Sequence, residues 1–145
     1  LGDLAIGAGR PVIAVPYAGS HAGFGKRILV PWNDSRESTR AAHDALPLLV
    51  AADLVTILVV NSDGDLESAE EISAHLARHG VTVEAKTEKV SGLDIGDAVL
   101  NAVSDLGCDM LVMGAYGHSR LREYAFGGVT RHIIEHMTVP TLFSH

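Results

Sequence analysis

The chain has 145 residues, with 18 acidic side chains against 11 basic ones and a formal net charge of −7. That length suits one compact domain with a real apolar core. A negative surface without a run of Lys or Arg disfavours DNA, RNA and anionic membranes as partners.

The longest nearly apolar stretch, Leu46 to Val60, contains Pro47, Asp53 and Thr56 and is too short and polar to span a bilayer. The single cysteine, Cys108, has no partner for an internal disulfide, which fits a reducing, cytoplasmic setting. It precedes an apolar run and reads as a small buried hydrophobe. No leader pattern opens the chain, and the start at Leu1 reads as that of a fragment or a processed product.

In chain order, Gly9 to Pro16 reads as a strand. Only Tyr17 to Lys26 separates it from the next apolar run, and this connector holds three glycines and no helical periodicity. A parallel crossover normally needs a dozen residues or more. The segment Arg10-Pro11-Val12-Ile13-Ala14-Val15 also echoes Val139-Pro140-Thr141-Leu142-Phe143-Ser144. Residues 1–25 are therefore read as the last strand of a preceding domain plus a linker, and residues 26–145 as an α/β domain. Pro11 to Val15 is expected to pair with Pro140 to Ser144 of its own chain or of a second one.

Arg27 to Trp32, Leu54 to Val60 and Met110 to Met113 are continuous apolar runs, as strands buried on both faces of a parallel sheet should be. Val81 to Lys86 alternates apolar with polar and reads as an edge strand. Between them lie helical stripes. Asp34-Ser35-Arg36-Glu37 reads as a capping box ahead of Ala41, Ala42, Ala45, Leu46 and Leu49, with a kink expected at Pro47. Leu66, Ala69, Ile72, Leu76 and Ala77 make a second stripe, and Ile95 to Leu106 a third, closed by Gly107. A fourth helix is expected over about Val129 to His136, and Val139 to Phe143 reads as the final strand. This alternation predicts an open, doubly wound parallel sheet with helices on both faces.

Ligands of such sheets bind beyond the carboxyl ends of strands that send their chains to opposite sides. Two strands end in small polar residues, Pro31-Trp32-Asn33-Asp34-Ser35 and GAYGHSRLREYAFGGVT from Gly114 to Thr130. Glycines let backbone N–H groups converge on phosphate oxygens. Gly127-Gly128 stands just before the expected helix, whose N-terminus favours an anion. Arg120, Arg122 and Arg131 offer charge there, and Ser119 and Thr130 offer hydroxyls. The competing reading is that these glycines only shape a turn.

The residues also resemble the universal stress protein (UspA) family over nearly all of residues 26 to 145. Gly114, Gly117 and Gly127 keep the G-x2-G-x9-G spacing of its ATP-binding members, with Val129-Thr130 following, and Ile28 to Ser35 is similar to the I-L-V-x-x-D-x-S opening. The resemblance implies a five-stranded parallel sheet in the order 3-2-1-4-5, with the N-terminal strand as an addition. It implies that Pro31, Trp32 and Asn33 border an adenine and that Val59 or Val60 faces the base. Met113, Gly114 and Gly117 would approach ribose and phosphates, and Gly127, Gly128, Val129 and Thr130 would close on the phosphate tail. Two positions depart from the pattern: Asn33 stands where nucleotide-binding members have Asp, and Gly128 where they have Ser or Thr. The ligand expected from the resemblance is ATP, with or without Mg, held by a cytoplasmic stress-response module that pairs through its last strand as a homodimer or in tandem. The alternative is a nucleotide-free domain serving assembly.

No nucleophile, base and orienting group stand together, so no catalytic residue is assigned and at most slow ATP hydrolysis is expected. His132-Ile133-Ile134-Glu135-His136 fits an H-x-x-E-H zinc pattern. It lies on the helix behind the glycine loop with only nine residues after it, so a helix-surface pair is the expected reading and no metal site is assigned. His75 and His79 form a second pair at i, i+4.

Overall fold

The apolar runs become the middle of one sheet, and the stripes become the helices that cover it. The computed structural model describes residues 7–61, 65–115 and 123–145. The elements are β1 (Val12–Ala14), β2 (Arg27–Pro31), α1 (Arg36–Asp44), α2 (Leu46–Ala51), β3 (Leu54–Val60), α3 (Asp65–Arg78), β4 (Val83–Glu88), α4 (Ile95–Asp105), β5 (Met110–Gly114), α5 (Glu123–His136) and β6 (Thr141–Ser144).

The sheet has six strands in the order β1-β6-β5-β2-β3-β4. Its last five strands in chain order pair in parallel with one another and run 3-2-1-4-5 when counted from β2. β1 joins as an antiparallel sixth strand on the outer side of β6, pairing Val12 with Phe143, Ile13 with Leu142 and Ala14 with Thr141. The expected pairing of Pro11 to Val15 with the last strand thus forms within the chain. The alternating strand β4 is at the opposite edge, over Val83–Glu88 rather than Val81 to Lys86.

Two apolar layers follow from the double winding. Ile28, Val30, Val55, Ile57 and Val59 face α1, α2 and α3, whose Ala41, Ala42, Leu49, Ala69, Ile72 and Leu76 are buried against them. Leu29, Leu58, Leu111, Met113 and Phe143 face α4 and α5 through Val99, Ala102, Val103, Val129 and Ile133. Alternate residues of β2 therefore serve opposite layers, the period-2 geometry of a strand covered on both sides.

Three local expectations are corrected. The capping box is one residue later than Asp34 and Glu37: Ser35 accepts the N–H of Ser38 at 3.1 Å, and the Ser38 hydroxyl accepts the N–H of Ser35 at 3.1 Å. Asp34 stays outside the helix at φ +54°, and Glu37 is buried in the first turn. Pro47 divides the expected helix in two instead of kinking it. It stands in the first turn of α2, where its missing N–H has no intrahelical partner to lose. Finally, α5 begins at Glu123 rather than near Val129, so Gly127 and Gly128 lie within it. Each glycine costs a helix about 1 kcal/mol relative to Ala, but burial of Val129 and Ile133 in the α4/α5 layer holds the helix in place.

A further tether was invisible in the sequence pattern. The Asp109 carboxylate accepts the backbone N–H groups of Gly25, Lys26 and Arg27 at 3.0, 3.0 and 3.1 Å. It clamps the end of the linker to the start of β5.

Candidate functional site

β2 and β5 are adjacent and parallel, with Ile28 opposite Met110 and Leu29 opposite Leu111. The chain leaves β2 toward α1 on one face and leaves β5 toward α5 on the other. Their carboxyl ends therefore flank the crevice of a topological switch point, where open α/β sheets take their ligands.

On the β2 side, Pro31 ends the strand and Asn33 is half-buried, its Oδ1 accepting the Ser35 hydroxyl at 2.7 Å. Trp32 is buried. Its indole Nε1 donates to Ser68 Oγ at 2.7 Å, its backbone N–H donates to Leu58 O at 2.8 Å, and the ring is buried in the α1/α3 layer. It forms part of the wall of a cleft of about 270 Å³ shared with Asp34, Thr39, His43, Ser68, Glu71 and His75. At the end of β3, Val59 is fully packed in the same layer, whereas Val60 is half-buried against the opposite one. Asn61 follows at φ +57°, its side-chain oxygen accepting Val90 N–H at 2.7 Å.

On the β5 side, Met113 is buried in the α4/α5 layer and Gly114 carries the first turn of α1. A Cβ at Gly114 would lie 2.6 Å from the Glu37 carbonyl carbon, so this glycine permits a close approach between α1 and β5. Ala115 then pairs with Ser144 O at 2.7 Å. Gly117, Ser119, Arg120 and Arg122 lie outside the described residues. Gly127 and Gly128 occupy the N-terminal part of α5, and Gly128 is exposed, with no described residue within 4 Å of where a Cβ would be. Val129 and Thr130 are buried. The free N–H groups of a helix are those of its first four residues, which here are residues 123–126 rather than 127–130.

The structure thus brings Pro31 and Asn33 beside Met113 and Gly114 at neighbouring strand ends, and it turns Trp32 and Val59 into the core. Sequence reasoning missed Glu37, whose only signal was its place in the expected cap. The H-x-x-E-H residues have partners of other kinds. His132 Nε2 is 2.8 Å from Asp97 Oδ1, a ring contact made possible by Gly96, and His136 Nδ1 is 2.9 Å from the His132 carbonyl oxygen. Arg131 bonds Glu135 at 2.8 Å and holds that carboxyl below its usual value.

The fold places the chain in the class of doubly wound α/β proteins. The chain belongs to the universal stress protein family, whose sequence profile matches residues 25–145. Among solved structures it is similar to universal stress protein UspA from Lactobacillus plantarum, at 14% identity and a TM-score of 0.64 over 85% of this chain and 99% of the other. It is also similar to a universal stress protein from Archaeoglobus fulgidus, at 19% identity and a TM-score of 0.69 over 92% of this chain. That match spans only 49% of the Archaeoglobus chain. A universal stress protein solved in complex with cAMP matches at 19% identity and a TM-score of 0.62, covering 83% of this chain and 96% of its own. These likenesses concern the fold. A search of curated proteins found no significant match.

Proposed function

We propose that the chain is an adenine-nucleotide-binding module of the stress response, cytoplasmic and regulatory rather than catalytic. The observation that carries this reading is the adjacency of β2 and β5, which opens the Pro31–Asn33 loop and the Gly114 turn onto one crevice. Asn33 and Val60 would meet the base, and the backbone at Gly114 would approach the sugar. The phosphates would approach the N-terminal turns of α5, where no described residue stands within 4 Å of a Cβ placed on Gly128. ATP, with or without Mg, is the ligand favoured by the glycine spacing. The relative solved with cAMP adds that an adenine nucleotide fits a fold of this type. Calorimetry with ATP, ADP and cAMP, with and without magnesium, tests the reading. Heat saturating at sub-millimolar nucleotide is expected, and no heat at millimolar nucleotide would overturn it.

A second reading, an assembly domain without nucleotide, is favoured by the pairing of β1. Superposing the echoed segments equates Val12 with Thr141, Ile13 with Leu142 and Ala14 with Phe143. The β1–β6 register is symmetric under that exchange, with Ile13 opposite Leu142 at its centre. That symmetry supports a reading in which β1 takes the position of the last strand of a second, two-fold-related domain. Exposed Ile13, Val15 and Tyr17 lie along this edge. Sedimentation of the chain joined to a second such domain, compared with the chain alone, distinguishes tandem docking from homodimerisation.

A further inference from the structure

Three imidazoles form a row on the α1/α3 side of the sheet. The ring centroid of His43 on α1 is 5.1 Å from that of His75 on α3, and His75 is 4.7 Å from His79 one turn further along. His43 Nδ1 lies 2.8 Å from the Thr39 carbonyl oxygen, which ties its ring to its own helix. His43 and His75 also line the cleft that contains Trp32, together with the carboxylates of Asp34 and Glu71. Among the described residues no three His, Cys, Asp or Glu side chains are gathered to hold a metal ion, so the row is not a preformed chelate. What it offers is a contact between two segments made by imidazole rings, the side chain best suited to a pH-dependent change of charge.

We propose that the His43–His75–His79 row is an acid-responsive contact between α1 and α3, closed while its imidazoles are neutral and opened as they protonate. Neutral rings at these separations pack in tilted and edge-on contact. Protonated rings repel one another across the same gap, and Arg78 on α3 adds a further positive charge. Asp34 and Glu71, the latter one turn before His75 on α3, also line the cleft, and their negative charge opposes part of that repulsion. Partial burial, followed by the charges of His79, His43 and Arg78, holds His75 below the usual histidine value. The sign follows. A histidine depressed in the folded state favours the fold in its neutral form, so this contact weakens as pH falls through the histidine range. The device does not depend on nucleotide binding.

Trp32 is the only tryptophan of the chain, and its environment includes this cleft. The experiment follows its fluorescence in the whole chain from about pH 7.5 to about pH 5, with far-ultraviolet circular dichroism and histidine ring NMR recorded on the same samples. A reversible change in Trp32 emission at constant helix content is expected, lost in His75→Gln and retained in His132→Gln. Flat emission in the wild-type chain, the same transition in His75→Gln, or a transition that coincides with loss of helix would each overturn the proposal.

Discussion

Gly114 and the backbone of Glu37 approach so closely that a methyl group on the glycine would stand 2.6 Å from the Glu37 carbonyl carbon and 2.7 Å from its Cβ. The glycine at the carboxyl end of β5 is thus required by helix packing, whatever it does for a ligand. Gly114→Ala must push α1 outward, and we expect it to lower stability by about 1–3 kcal/mol, the usual cost of overpacking. Urea denaturation measures this. An unchanged midpoint would show that the first turn of α1 yields freely.

The antiparallel strand β1 covers the edge of β6 through only three residue pairs, one of them Ala14 opposite Thr141, both buried. Ala14→Asp puts a charge into the α4/α5 layer and should detach β1. The uncovered apolar edge of β6 is then free to pair with a second chain, so sedimentation velocity should show a larger dimer fraction than in the wild type. A monomeric variant with protected β6 amides would defeat the prediction.

Asp109 holds three successive backbone N–H groups of the linker end. Hydrogen bonds to a charged acceptor are worth about 1.5–3 kcal/mol in the net. Asp109→Ala should lose an amount in that range and should speed hydrogen exchange at Gly25, Lys26 and Arg27 above all. Uniformly faster exchange throughout the sheet would mean that the residue supports the core instead of the linker.

Gly128 is exposed and helical, and no described residue lies within 4 Å of a Cβ placed there, so a serine meets none of them. The exchange should raise stability by a few tenths of a kcal/mol through helix propensity alone. If the crevice takes nucleotide, the added hydroxyl supplies one phosphate contact of about 1 kcal/mol, or roughly fivefold in affinity. Calorimetry of Gly128→Ser beside the wild type checks both parts. Binding by the variant alone would identify the natural chain as a degenerate nucleotide site.

Cys108 is buried, and burial raises its thiol pKa, with Asp109 adding to the shift and Arg27 opposing the larger effect. The folded state therefore keeps the neutral thiol, and thiolate chemistry is delayed to more alkaline pH than for a free cysteine. A chromogenic disulfide reagent at neutral pH should react slowly with the native chain and at once after unfolding. Stability should also fall as pH rises past the ordinary thiol value, because the unfolded chain then gains the thiolate first. Cys108→Ala should remove that alkaline loss.

The strands and their places were readable because each reports its own surroundings. The apolar runs of β2, β3 and β5 admit only a sheet covered on both faces, and the alternation near Val83 admits only an edge. The echo between residues 10–15 and 139–144 likewise foretold the β1–β6 ladder, since strands of like pattern can share an edge. Helix ends were read less well. Ser35 displaced Asp34 as the cap because its hydroxyl and that of Ser38 reciprocate, and α5 grew backward through two glycines because Val129 and Ile133 anchor it.

By itself, then, the sequence determined the fold class, which follows from local periodicity, whereas the strand order, and with it which strand ends meet, was implied only by the resemblance to the family pattern. Only the tertiary structure decided how those residues are used. It turned Trp32 toward Ser68 and the core, pressed Glu37 against Gly114, bound Asp109 to the linker and aligned His43 of α1 with His75 of α3 and His79 just beyond it. Each of these depends on distances between segments far apart in the chain, which no local pattern encodes.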